Sequence, residues 1–159
     1  MSFATILGGL ESARVKFVVI GGLAAAAHGS RRVTDDVDIC YDSSPQNVRR
    51  LAGLLVEWEA YPRGIERGLP FFMDERQFSV TPLMTLTSRE GFLDVFDTVK
   101  GVGDYEKCLA RSIEISAFDI RFRILDLPSL IDAKRAAGRA RDLDQIPELE
   151  ALLALRQSM

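Results

Sequence analysis

FVVIGGLAAAAHGSRRVTDDVDICY, residues 17–41, is the stretch on which the fold turns. Phe17-Val18-Val19-Ile20 is a compact β-branched run that reads as a buried strand, and Gly21-Gly22 ends it in a tight turn. Leu23 to His28 is alanine-rich and reads as a helix. Gly29 stops it, where a left-handed residue is commonly needed. Ser30 to Asp35 is a polar loop, and Asp36 to Tyr41 follows as a second strand. Side chains alternate along a strand, so Asp36 and Asp38 project from one face while Val37 and Ile39 turn into the core.

Two carboxylates at neighbouring same-face positions repel each other. A hard divalent cation resolves that repulsion, and Mg²⁺ favours a few carboxylates together with phosphate oxygens. Thirteen residues separate the glycine pair from Asp36, and the pair lies between a strand and a helix. Exposed N–H groups and a missing Cβ there allow a phosphate to come close. An Asp-x-Asp pair alone is a weak signal, because acids at alternate strand positions also occur where a strand faces solvent. The glycine pair upstream tips the reading toward a metal site.

Outward from this stretch, residues 2–14 carry helical spacing (Phe3, Ile6, Leu7, Leu10) and predict a short amphipathic helix. Ser43-Ser44-Pro45 opens a further helix that runs through Leu51, Leu54 and Leu55 to Trp58. Residues 60–80, broken by Pro62, Gly64, Gly68 and Pro70, read as irregular. Strand-like runs recur at Met84–Thr87, Phe92–Phe96, Ile113–Ser116 and Ile120–Leu125, with a helix from Asp104 to Arg111 between them. Asp126-Leu127-Pro128 caps a helix through Ala137, and Asp142 to Leu155 gives a last amphipathic helix. The expectation is one α+β domain over residues 1–159, a mixed β-sheet with helices packed against it.

The bulk properties exclude more than they choose. An apolar fraction of 47% and a charged fraction of 27% are those of a globular chain. A net charge of −3 and a pI near 5.2 argue against a protein coated in positive charge for nucleic-acid binding. Residues 119–141 nevertheless hold six bases against three acids, a local basic excess. No apolar run reaches the roughly 18 residues needed to span a bilayer, and no signal peptide is evident, so the expected address is cytoplasmic with no membrane partner. Cys40 and Cys108 stand in non-motif contexts. Cys40 follows an apolar run and reads as a buried reduced thiol.

The run Val19-Ile20-Gly21-Gly22-Leu23-Ala24, with His28-Gly29, Arg32, Thr34, Asp36 and Asp38, resembles the minimal nucleotidyltransferases of the DNA polymerase β superfamily. It is most similar to the branch that includes the AbiEii-type toxins of type IV toxin–antitoxin systems. Leu127-Pro128-Ser129-Leu130-Ile131-Asp132-Ala133-Lys134, then Ala137-Gly138-Arg139 and Arg141-Asp142, is similar to that branch's C-terminal segment. Residues 43–80 are unmatched. Gly22 stands where the wider superfamily often has Ser, and Arg141 where the branch often has Lys.

The resemblance implies a DNA polymerase β-like fold with C-terminal helices, and a metal-dependent nucleotidyltransferase. The enzyme would move a nucleoside monophosphate from an NTP, ATP among them, to an acceptor hydroxyl. Mg²⁺ or Mn²⁺ would be the cofactor, in a two-metal mechanism: one ion activates the attacking hydroxyl, the other holds the triphosphate. The acceptor (tRNA, protein or small molecule) is open, and a cognate antitoxin would be a partner of the toxin version. A non-catalytic module of this fold that binds a protein or RNA is the competing reading.

The implied third acid is Asp94, in Phe92-Leu93-Asp94-Val95-Phe96. Asp97 competes, but alternation puts it on the opposite face. Metal and catalysis thus fall to Asp36, Asp38 and Asp94. Nucleotide binding falls to Gly21, Gly22, Arg32, Thr34, Lys134 and Asp142, the last as an orienter of Lys134. Each has a plainer reading: a salt bridge from Arg32 to Asp35 or Asp36, a loop-shaping Thr34, a solvated charged helix for Lys134. His28 reads as a capping or packing residue, not a base.

Overall fold

The computed structural model describes residues 3–66, 71 and 73–159. Its elements are α1 (Phe3–Ser12), β1 (Phe17–Ile20), α2 (Gly21–Ala27), β2 (Asp36–Tyr41), α3 (Pro45–Glu57), β3 (Tyr61–Pro62), α4 (Glu75–Val80) and β4 (Leu83–Ser88). After them come β5 (Gly91–Phe96), β6 (Thr98–Val99), β7 (Gly103–Asp104), α5 (Tyr105–Ala110), β8 (Ser112–Ala117), β9 (Ile120–Leu125), α6 (Leu127–Ala137) and α7 (Ala140–Gln157).

Seven strands form one mixed sheet in the order β3-β4-β5-β2-β1-β9-β8, and β6 and β7 form a separate pair. The centre follows from the sequence. β1 is buried along its whole length, as its unbroken apolar run requires. It pairs antiparallel with β2 in the register Ile20↔Asp38. β2 in turn pairs parallel with β5, which sets Asp38 opposite Asp94. Val37, Ile39, Leu93 and Val95 are fully buried on the opposite face. A slip of one residue in either strand would exchange these apolar side chains for the acids, so the core locks the register that gathers the carboxylates.

Caps and buried polar groups fix the ends of the helices. Asp126 accepts from the Ser129 N–H at 2.8 Å to start α6, and Gly138, with φ +68, ends it in the left-handed region. That turn separates α6 from α7, so Lys134 and Arg141 do not share one helix face. The buried Asn47 amide bridges the entry to β1 and the exit from β2, bonding Lys16 N–H at 2.6 Å and the Asp42 carbonyl at 2.7 Å. Cys40 and Cys108 are both buried free thiols. No described helix is long and apolar enough to cross a membrane.

Several boundaries differ from expectation. The opening helix ends at Ser12 rather than residue 14, because Arg14 takes φ +59. α2 begins at Gly21 instead of Leu23, and the last helix runs from Ala140 to Gln157, tolerating Pro147 inside it. Residues 60–80, expected to be irregular, hold β3 and the short helix α4, whose N-terminus Asp74 caps and whose Phe78 is buried. Gly68 and Pro70 of that segment lie outside the described residues.

Candidate active site

Asp36 and Asp38 leave the same face of β2, and Asp94 leaves β5 beside them. One oxygen from each of the three carboxylates lies within 4.8 Å of the others. They form the floor of a cleft of about 730 Å³. Asp38 Oδ1 is buried with no hydrogen-bond partner among the described residues. A buried, unpartnered carboxylate oxygen carries a desolvation cost that a ligand would relieve. Oxygen donors from three carboxylates, one of them orphaned, fit a hard divalent cation.

The electrostatics agree with the geometry. Asp38 is pushed up to about 7, chiefly by burial and then by the charges of Asp94 and Asp36. Burial also leads for Asp36, pushed up to about 6, with an Asp35 hydrogen bond and the Asp94 charge adding to it and Arg63 opposing. Asp36 and Asp38 therefore resist being charged together, as carboxylates without enough counter-charge do.

Gly21 is what allows β1 to approach this cluster. Its φ is +67, and a Cβ there would lie 2.1 Å from Asp38 Oδ2. Gly22 is tight against a different neighbour, since its Cβ would meet Thr34 Oγ1 at 2.8 Å. The glycine pair is thus demanded by close packing at both positions, and Gly21 alone of the two lines the cleft.

The other wall comes from α6, α7 and the turn between them. Lys134, Arg139, Arg141 and Asp142 line it. Asp142 is buried, and Arg139 donates to it through Nε at 2.6 Å and Nη2 at 3.3 Å. Lys134 Nζ reaches the same carboxylate at 3.4 Å. Burial alone would raise Asp142, but the Arg139 hydrogen bond and the two positive charges hold it below the usual carboxylate range. The expected link from Asp142 to Lys134 is present, joined by an Arg139 contact that the sequence reading did not foresee.

Arg32 and Thr34 do not line the cleft. Arg32 is exposed and donates from Nη1 to the Arg141 carbonyl at 2.6 Å, tying its loop to α7 rather than forming a salt bridge with Asp35 or Asp36. Thr34 Oγ1 is 3.4 Å from the Asp36 carbonyl. Asp97 lines the cleft near β6 but stands outside the three-carboxylate group. His28 is a packed residue: Nε2 bonds the Leu125 carbonyl at 2.8 Å and Nδ1 meets Arg156 Nη1 at 2.7 Å. A carbonyl only accepts, so Nε2 carries the proton and Nδ1 accepts from Arg156.

The residue missed by sequence reasoning is Arg63, just after β3. Its Nη2 donates to Asp94 Oδ1 at 2.8 Å and to the Leu86 carbonyl at 2.9 Å. Nη1 lies 3.7 Å from Asp36 Oδ2, and the guanidinium stands 4.6 Å over the Phe92 ring.

No family model and no curated protein matches the chain. Solved structures do. A lincosamide antibiotic adenylyltransferase, LnuA, crystallised with lincomycin bound, superposes with a TM-score of 0.60 at 16% identity, covering 93% of this chain and 94% of that one. The fold is a nucleotidyltransferase fold. An antigenic nucleotidyltransferase-like protein from Paracoccidioides brasiliensis gives a TM-score of 0.57 at 15% identity, covering 96% of this chain and 73% of that one. These identities speak to architecture. The chemistry must be argued from the cleft.

Proposed function

We propose that the chain is a metal-dependent nucleotidyltransferase that moves a nucleoside monophosphate from an NTP to an acceptor hydroxyl. The observation that carries this reading is the convergence of Asp36, Asp38 and Asp94 on the floor of a cleft whose opposite wall is basic. Carboxylates bind divalent cations and cations bind phosphate, and a nucleotidyl donor needs both within one site.

Asp36, Asp38 and Asp94 would hold Mg²⁺ or Mn²⁺, which when bound supplies Lewis-acid stabilisation of charge on the phosphate oxygens. Lys134 Nζ and the Arg139 and Arg141 guanidinium groups offer charge to a triphosphate. Asp142 keeps Lys134 and Arg139 from wandering, which is a positioning role. The acceptor hydroxyl passes its proton to a carboxylate of the cluster as its oxygen bonds to the α-phosphorus, the bridging P–O bond breaks and pyrophosphate leaves.

For the acceptor, a small hydroxyl compound suits the site best. The cleft is bounded and of small-molecule size, with apolar wall from Pro82, Leu83, Phe96 and Val99. The acidic chain offers little for a large RNA. The likeness over nearly the full length to an adenylyltransferase holding lincomycin supports the same choice.

The test is transfer of labelled nucleotide from each NTP to a panel of small hydroxyl compounds and to tRNA. Substituting Asp36→Asn or Asp38→Asn should cut transfer by on the order of 10³-fold while the fold survives. Failure of Mg²⁺, Mn²⁺ and every NTP to raise the melting temperature, with no transfer, would sink the reading. Growth arrest on expression, relieved by Asp38→Asn, would move the acceptor to a host macromolecule and support a toxin. The Arg63 ion pairs favour the rival, non-catalytic reading, in which the acids are merely structural and both Asp→Asn variants keep full function.

A further inference from the structure

Arg63 stands against two of the three carboxylates that form the proposed metal site. It touches Asp94 and Asp36 directly, while Asp38 Oδ1 has no partner among the described residues. Its two remaining anchors do not involve the acids: the Leu86 carbonyl and the Phe92 ring. The Arg63 side chain is 30% exposed and the Asp94 side chain 13% exposed, so solvent screens the contact only in part. A guanidinium stays charged at any accessible pH, which makes this counter-charge permanent.

We infer that Arg63 is a built-in counter-cation that competes with the divalent metal for Asp36 and Asp94. Metal loading is then coupled to breaking the two Arg63 ion pairs, and Arg63 sets how much metal is needed to fill the site. The inference rests on the metal-site reading above and adds its regulation. A fixed positive charge against Asp94 repels an arriving divalent ion and occupies one of the two oxygens it could use. Without Arg63 the metal-free protein keeps three carboxylates together and no guanidinium, an arrangement a cation relieves more strongly. The carbonyl and ring contacts give the guanidinium somewhere to remain once it releases the acids. Lysine could hold the charge there but not the forked grip on carboxylate and carbonyl together.

Two variants test this, with Mn²⁺ binding measured by titration calorimetry and melting temperatures taken with and without Mn²⁺. R63Q should melt lower than wild type without metal, bind Mn²⁺ about five- to tenfold tighter, and gain more on adding it. R63K, which keeps the charge and loses the fork, should bind about twofold tighter than wild type and stay folded if R63Q does not. A purely structural Arg63 would give the reverse, a weaker metal site in both variants. Equal or weaker Mn²⁺ binding by the variants, with wild type binding normally, overturns the competition and leaves the metal site standing. No Mn²⁺ response from wild type or either variant overturns both.

Discussion

Two charged clusters face each other across the cleft, and their carboxylates are balanced in opposite ways. On the sheet, among the described residues, one guanidinium touches two of the three acids, Asp36 and Asp94, and Asp36 and Asp38 are raised above their ordinary range. On the helices, one buried carboxylate, Asp142, has two cations to itself and is held below that range. The Asp142 side chain is only 2% exposed, and its two cations still hold it below that range against the effect of burial. The helical cluster has its counter-charges in contact. The sheet cluster is short of positive charge and is stabilised by whatever supplies it.

The sharpest way to break this contrast is to neutralise one acid on each side. Asp142→Asn strands Lys134 and Arg139 without their anion and should destabilise the protein by about 2 kcal/mol, discounted from a fully buried pair because Arg139 is well exposed. Asp38→Asn removes repulsion and should leave the metal-free protein unchanged or more stable by up to about 1 kcal/mol. Denaturant unfolding in the presence of a chelator reads both. Equal losses would mean the two clusters do the same structural job.

Gly21→Ala probes how closely the sheet cluster is packed. The new methyl would collide with Asp38 Oδ2 and force a positive φ on alanine, at a cost of about 1–2 kcal/mol. The melting curve should drop, and Mn²⁺ affinity with it, since Asp38 must move. Retained affinity would show that the carboxylate has room to spare.

The smallest effect is in pH. The ordinary aspartate value is 3.8, and in the fold Asp36 and Asp38 lie at about 6 and about 7. Between these limits the folded state holds more protons than the unfolded state, so stability falls as pH rises from about 4 through about 7. Asp142 works in the other sense: its contribution is full above the ordinary value and is lost as pH falls through its lowered one. In chelator, wild type should lose about 3 °C more than the Asp36→Asn, Asp38→Asn double variant across that window. Parallel curves for the two proteins would contradict the raised values.

How much of this was legible follows from the range of each interaction. The acids of β2 could be read because alternation is a local rule and Val37 and Ile39 mark the buried face. Asp94 could be read the same way on its own strand, with the resemblance supplying the reason to look. Arg63 could not. It lies 31 residues from Asp94, in a segment broken by proline and glycine that offers no periodicity to locate a side chain. Arg139 was visible as one of several bases and within the matched Ala137-Gly138-Arg139 segment, with no role of its own. Its grip on Asp142 is an i, i+3 contact across the first turn of α7, and what the left-handed turn at Gly138 adds is Lys134 of α6 on the same carboxylate. Arg32 and Thr34, suggestive by position, lie off the cleft because their loop is drawn toward α7 and Gly22.

That loop has a consequence for how the protein is made. Ser30 donates to Glu148, Arg32 to the Arg141 carbonyl, and Arg156 to His28, contacts that join residues 118, 109 and 128 positions apart. The approach to Asp36 is therefore tied down by residues translated long after it. At roughly 5–20 residues per second, Arg141 leaves the peptidyl-transfer centre about 5–20 s after Arg32. A nascent chain can display all three acids while the segment that leads into them is still untethered. The loop that leads into β2 reaches its final set of contacts only once α7 is in place, although Asp36, Asp38 and Asp94 all precede that helix in the chain.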